Sequence, residues 1–293
     1  METRLKRILR DLPGPDLSGA RVSPLSGGIT NENYLVEAGA GRFVLRVGNK
    51  GGERLGIDRA RERRCARIAA ASGIGAELVA CSGKYGAALS RFIEGRPLAL
   101  AAAGRPETLR RVARSIRALH GGPKFLGRFS PFQTVRNYRA LARRSGVALP
   151  EEAERAVAQM GRLERSLGPC RDLKPCHNDL LAGNLIDDGK KVWIIDWEYA
   201  AMGDPFFDLG NYAANQRLES GAVRFLLKEC LGAAGRDAVE RLELQRLASD
   251  LREAFWGFAQ AGISRLDFDF MSYAAKHLGR FTRGASQFHA RPS

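Results

Sequence analysis

Between residues 41 and 47, Phe43, Leu45 and Val47 alternate with Arg42, Val44 and Arg46, the period-two pattern of a strand with one buried face. Residues 33–38 form a second such run, and Gly39 and Gly41 suit a tight hairpin between the two. Asp58 is placed to cap a helix to about Ala71, along which Cys65, Ile68, Ala69 and Ser72 recur at helical spacing. Two more strands are predicted at 77–81 and 87–92.

From about Pro97 the pattern changes to Ala, Leu and Arg at helical spacing. It predicts helices at 106–120, 135–145, 150–167, 250–262 and 270–281. One interruption stands out: residues 184–187 and 191–196 flank Asp188-Gly189, a strong hairpin turn signal. The predicted fold class is therefore α+β and two-lobed. A small β-rich N-terminal lobe covers residues 1–95 and a larger, mainly helical C-terminal lobe covers 96–293, with the cleft between them as the default site.

The composition, 44% hydrophobic and 27% charged, is that of a globular chain and argues against a fibre or wholesale disorder. No apolar run approaches the roughly 18–20 residues a bilayer crossing requires. The N-terminal METRLKRILRDLPGPDL is broken by charge, Gly and Pro before a signal-peptide core can form, so a soluble cytoplasmic protein is expected. Five scattered cysteines contain no C-x-x-C pair, which favours reduced thiols over a zinc site. The net charge of +15 would attract polyanions such as nucleotides, nucleic acids or acidic lipid head groups, and composition does not choose among them. Arg110, Arg111, Arg114 and Arg117 read first as a solvated helix face.

The most informative stretch runs from Cys176 to Asn211. Asp179 lies on the loop leading into the Asp188-Gly189 hairpin, Asn184 begins its first arm, and the turn folds the chain back so that Asp196 returns to the same end of the ribbon as Asn184. An amide oxygen and a carboxylate converging in this way suit Mg2+, a hard cation that takes waters and substrate phosphates as its other ligands. Asp179 is placed to receive a proton from an incoming hydroxyl. The spacing H-x-D-x-x-x-x-N, then a hairpin and Asp, is the arrangement by which kinases position an acceptor and hold metal.

Four segments together carry a closer likeness: CHNDLLAGN from Cys176, IIDWEYA from Ile194, GGITNENY from Gly27 and FWGFAQAGISRLDFDF from Phe255. With them the chain resembles the choline/ethanolamine kinases, within the protein-kinase-like fold that includes aminoglycoside phosphotransferases. The resemblance implies ATP and Mg2+ as cofactors, Asp179 as catalytic base, Asn184 and Asp196 as metal ligands, His177 as a brace of the catalytic loop and Asp208 as its support. It assigns the Gly27-Gly28 loop, with Asn33, to covering the ATP phosphates, although those glycines match no phosphate-loop motif by themselves. Arg46 stands where protein kinases place a phosphate-contacting Lys, and Glu62, on the same helix face as Cys65 and Ala69, points inward as its ion-pair partner. The segment containing Ser90 and Phe92 would hold the adenine through backbone groups.

A quaternary ammonium donates no hydrogen bonds, so an acceptor of that class needs aromatic faces and nearby carboxylates. Trp256, rotated about 100° from the apolar stripe of its helix, is expected to face the cleft. Trp197, Tyr199, Tyr212 and Tyr273 are further candidate walls, and Glu198 a candidate anion. Three positions depart from the family pattern. Asn215 stands where choline kinases often carry Glu, Ala259 replaces a second Trp, and Leu181 occupies a place usually polar or basic, near the transferred phosphate. The missing charge must then come from another group, such as an Arg elsewhere, which the sequence does not identify.

The expected activity is ATP-dependent phosphorylation of the hydroxyl of choline, ethanolamine or a similar small amino alcohol, with no membrane insertion. Its alternatives are a thiamine or aminoglycoside kinase on the same fold and a non-catalytic nucleic-acid-binding or scaffold protein. Against the last, an acidic metal pair has no use on a polyanion-binding surface.

Overall fold

The computed structural model describes residues 2–25, 31–48 and 52–289. Gly27 and Gly28 lie outside the described residues. The chain divides into two compact units, Met1–Leu98 with Gly183–Glu198, and Ala99–Ala182 with Tyr199–Ser293.

The first unit begins with α1 (Glu2–Asp11), then β1 (Arg21–Pro24), β2 (Asn31–Ala38), β3 (Gly41–Gly48), α2 (Arg59–Ala71), β4 (Leu78–Ser82), β5 (Ala87–Arg91) and the short β6 (Arg96–Pro97). Strands β1 to β5 form one antiparallel sheet in the order β1-β2-β3-β5-β4. The alternation read in β3 is realised: Phe43, Leu45 and Val47 are buried and pack with Leu5, Ile8, Leu9 and Leu12 of and beside α1. Helix α1 was not among the predicted elements. The Lys and Arg residues that break a signal-peptide core there fill the helix's solvent face.

Register then decides what the other sheet face carries. Asn33 pairs with Arg46, Arg46 with Ala88, and Val44 with Ser90. Because directly paired residues share a face, Asn31, Asn33, Arg46 and Ser90 all stand on the side away from α1.

The chain continues through α3 (Leu100–Ala103), α4 (Pro106–His120), α5 (Pro131–Arg144), α6 (Glu151–Leu167) and β7 (Lys174–Cys176) in the second unit. It returns to the first for β8 (Leu185–Asp187) and β9 (Val192–Ile194), then closes the second with β10 (Ala201–Gly203), α7 (Pro205–Asn215), α8 (Ser220–Leu231), α9 (Arg236–Ile263) and α10 (Phe270–His289). The result is the antiparallel sheet unit and mainly helical unit expected of a two-lobed fold.

The Asp188-Gly189 hairpin forms as read. Gly189 adopts φ +85°, which a side chain would resist, and the Asp188 carboxylate accepts the N–H groups of Lys190 and Lys191 at 2.7 and 2.8 Å. Strand β8 also pairs with β6, and the Ile194 N–H reaches the carbonyl of Ile74 at 2.8 Å, so the hairpin belongs to the sheet unit although it follows the first half of the helical one.

Several boundaries differ from expectation. Helix α5 begins at Pro131 rather than 135 because the Ser130 hydroxyl accepts the Gln133 N–H, with Pro at the first helical position. Helix α9 begins at Arg236, since its first turns mix charge and Leu without a clean stripe. Helix α10 runs to His289 rather than 281. Strands β7 and β10 pair with each other but are three residues each, too short to show a period, and α8 was also missed.

Helix α9 is the centre of the second unit. It packs against α5, α7 and α10, and every residue from Ala248 to Gln260 is buried. Gly257 allows the approach of α10: a Cβ there would lie 2.9 Å from the Ala274 Cβ and 3.0 Å from the Phe270 carbonyl oxygen.

Candidate active site

Functional side chains gather separately in the two units. In the first, Arg46 of β3 bonds Glu62 of α2 and donates to Asp196 Oδ1 at 2.8 Å. Glu62 is 3% exposed, so its charge is compensated within the protein by Arg46 and by Arg59 at 2.7 Å. The inward turn of Glu62 follows from α2's start, where Asp58 accepts the N–H groups of Ala60 and Arg61 and sets the helix phase. The predicted Arg46–Glu62 pair is therefore present.

Glu198 requires a correction. Expected as an anion beside an acceptor, it lies buried in the first unit, 3.2 Å from Arg59 Nη1 and 3.8 Å from Arg46 Nη1, with the Asn31 amide at 3.4 Å. Its carboxylate belongs to the arginine cluster. The segment containing it follows β9, which the hairpin carries into the sheet unit.

Asn184 and Asp196 lie at the same end of the hairpin. The Ile195 N–H donates to the Asn184 carbonyl at 2.9 Å, which continues the Leu185↔Ile194 register by one pair, with Asp196 following at the open end of the ribbon. Asp196 adopts φ +64°, a left-handed conformation that Asp tolerates and that ends the strand there. Among the described residues, two guanidinium groups here face three carboxylates. An amide oxygen and a carboxylate in such a setting fit a hard divalent cation. Among the remaining candidates in this unit, Asn33 and Ser90 stand on Arg46's side of the sheet. Phe92 follows β5, its N–H donating to the Arg42 carbonyl at 3.0 Å and its ring lying under the Arg42 guanidinium at 4.2 Å.

The second unit holds the loop that carries Asp179. Asp208, in the first turn of α7 behind the Asp204 cap, is wholly buried and accepts from the backbone N–H of Asn178 at 2.7 Å and of His177 at 3.0 Å, with His120 Nε2 at 2.9 Å. Asn178 takes φ +64° and donates through its side chain to the Tyr199 carbonyl at 3.0 Å. These bonds fix the backbone on which Asp179 sits, as expected of a support residue. His177 is itself wholly buried.

Asp179 accepts from Arg252 Nη1 at 2.7 Å, and the same nitrogen reaches Glu253. Arg252 and Glu253 are both buried in α9, and neither was a sequence candidate. Burial pushes the Asp179 carboxyl above its ordinary range, against the pull of Arg252. Burial would also raise Glu253, but Arg252, His277 and the Tyr273 hydroxyl, which donates to it at 2.7 Å, hold it below the usual range. The Arg252 guanidinium lies 4.4 Å from the centre of the Tyr199 ring, and Tyr138 donates to the Tyr199 hydroxyl at 3.2 Å. Burial lifts Tyr138 to about 12, so it stays a neutral donor.

Two aromatic candidates part company here. Trp256 meets the rings of Tyr273 and Phe270 edge-on at 5.5 and 5.8 Å, and Phe268 joins the group at 4.8 Å from Phe270. Tyr212, by contrast, is wholly buried with its hydroxyl donating to the Ala103 carbonyl at 2.9 Å, a core position rather than an acceptor wall.

With this geometry in place, comparison with known proteins is decisive. The model of the APH family, described as phosphotransferase enzyme family, matches residues 21–244. The chain belongs to that family. Among its relatives in this phosphotransferase family, the protein LicA of Haemophilus influenzae is 26% identical over 268 residues, covering 83% of this chain and 77% of LicA. Probable choline kinase 2 of Arabidopsis thaliana is 27% identical over 309 residues, covering 91% and 86%. The crystal structure of a choline/ethanolamine kinase family protein from Mesorhizobium loti superposes with a TM-score of 0.81 at 28% identity, covering 98% of each chain. The protein is thus a small-molecule phosphotransferase of the family, as the motif around Asp179 implied.

Proposed function

We propose that this phosphotransferase transfers the γ-phosphoryl group of ATP, with Mg2+, to the hydroxyl of choline, ethanolamine or a similar small amino alcohol. The observation that carries the acceptor class is the surroundings of Asp179. Two carboxylates, Asp179 and Glu253, share one guanidinium in a buried cluster, and Glu253 is joined through Tyr273 to the ring group of Trp256, Phe270 and Phe268. Carboxylates beside aromatic rings favour a small cation. The names of the relatives support the same reading.

Asp179 accepts the proton of the acceptor hydroxyl, and Asp208 keeps the loop from shifting as it does so. Arg46, held by Glu62, orients the nucleotide phosphates together with Asn33, while Ser90 and Phe92 lie on the stretch that takes the base. Asn184 and Asp196 would hold Mg2+, which when bound neutralises phosphate charge.

A coupled assay of ADP release over choline, ethanolamine, thiamine and aminoglycosides tests this reading. Turnover is expected with the amino alcohols. Turnover confined to thiamine or aminoglycosides would remove the acceptor assignment and leave the phosphotransferase chemistry in place.

A further inference from the structure

Asp179 keeps 11% of its side chain exposed, whereas the charged side chains joined to it, Arg252 and Glu253, keep 1% and 3%. A guanidinium so enclosed acts on an acceptor through Asp179 rather than by touching it. Among the described residues, every hydrogen bond of that guanidinium runs through Nη1, to Asp179 Oδ1 at 2.7 Å and to Glu253. Glu253 is held in turn by the Tyr273 hydroxyl at 2.7 Å, and the guanidinium lies 4.4 Å from the centre of the Tyr199 ring. Arg252 is thus fixed by its own helix, by α10 and by the segment before β10.

An aspartate carboxylate turns readily about its Cβ–Cγ bond unless one of its oxygens is anchored. Orientation matters for a base, since a misplacement of about 1 Å can cost about 100-fold in rate. Two carboxylates on one guanidinium also divide their protons unequally. Burial raises Asp179, while Glu253, against its own burial, is held below the usual range by Arg252, His277 and the Tyr273 hydroxyl. Glu253 therefore stays charged and keeps Arg252 in place whether or not Asp179 carries a proton. The other titratable groups around Asp179 are His177 of its own loop, Tyr138 of α5 and Tyr273 of α10.

We propose that Arg252 is a positioning residue for Asp179, anchored by Glu253 and Tyr273 so that the base keeps one orientation before and after it takes the acceptor's proton. The inference rests on the phosphotransferase reading with Asp179 as its base.

The chain labelled with 13C at its aspartate carboxyl carbons tests this without an acceptor, the Asp179 signal being assigned by its loss in Asp179→Asn. Its titration midpoint is expected to rise in Arg252→Gln, which removes the cation, and to fall in Glu253→Gln, which removes the neighbouring anion. Damage to the fold alone would not move the two in opposite directions. Arg252→Lys, which keeps the charge but not the planar guanidinium, is expected to lower kcat about 100-fold with the acceptor KM little changed. A midpoint unmoved in either Gln variant, or wild-type kcat in Arg252→Lys, would overturn the proposal. Near-normal kcat in Asp179→Asn would instead remove the base itself, and the proposal with it. If thiamine or an aminoglycoside proves to be the acceptor, kcat is read on that substrate, because the positioning concerns the base and not the cation it serves. Should neither Arg252 variant fold, the Glu253→Gln midpoint decides.

Discussion

Asp179 combines two conditions that pull its proton affinity in opposite directions, burial and a bonded guanidinium, and burial wins. Its folded-state pKa therefore lies above the unfolded value of about 3.8. Between the two values the native state holds a proton that the unfolded chain has released, so stability falls as pH rises through that interval. Glu253 has the opposite sign: its depressed pKa contributes stability above about 4.5 that is lost in acid. Asp179→Asn should accordingly show a flatter decline of stability than the wild type from the carboxylate range towards neutrality, read from urea midpoints at a series of pH values. The same variant should lose on the order of 100-fold or more in kcat, the scale of general-base assistance. Near-normal turnover would remove Asp179 from that role. Glu62 admits a parallel argument in the other unit. Glu62→Ala strips Arg46 and Arg59 of their most buried partner. A loss of about 1–3 kcal/mol is expected, because both arginines keep Asp196 or Glu198 as neighbours. The KM for ATP should rise about 10-fold, equivalent to about 1.4 kcal/mol, with the acceptor KM unchanged.

Elements differ in how openly the sequence declares them, and the site divides along the same line. The hairpin from β8 to β9 was legible because a turn with one obligatory glycine fixes where the chain reverses, and hence that Asn184 and Asp196 share an end. Arg46 and Glu62 were legible from strand alternation and helix phase. Arg252 and Glu253 were not. Within a helix, adjacent charges beside Leu251 and Ala254 read as the solvent face, and only the packing of α5, α7 and α10 around α9 turns that face inward. An eleven-residue run with a Trp, two Phe and two Gly beside those charges was the available signal that no side of α9 is free. Tyr212 and Glu198 misled for the converse reason: residue type suggested an acceptor wall, whereas neighbours remote in sequence had already claimed the hydroxyl and the carboxylate. The close α9–α10 contact makes its own claim. Gly257→Ala places a methyl 2.9 Å from Ala274, so α10 must shift. A cost of about 1–3 kcal/mol is expected by chemical denaturation. Because Trp256 and Tyr273 ride on those two helices, the acceptor KM should rise while the KM for ATP does not.

At the scale of the whole molecule, the +15 charge and the acidic clusters at the sites pull in different directions. Buried carboxylates select a metal and a cation locally, whereas a field summed over many exposed arginines acts on anything anionic before contact. Mg·ATP keeps net negative charge, so the surplus should speed its arrival without altering the transfer step. Salt separates these contributions. Raising ionic strength from about 0.1 M to about 1 M shortens the screening length from about 10 Å to about 3 Å, which removes long-range attraction but leaves the bonded pairs at Arg46 and Arg252 largely intact. The expected outcome is a rise in the KM for Mg·ATP of about 10-fold or more with kcat nearly constant, measured at saturating acceptor. The KM of a cationic acceptor should move the other way or stay level, since the same field opposes its approach. A kcat that fell in step with the KM for Mg·ATP would mean that the surplus arginines act in the reaction itself and not in the encounter.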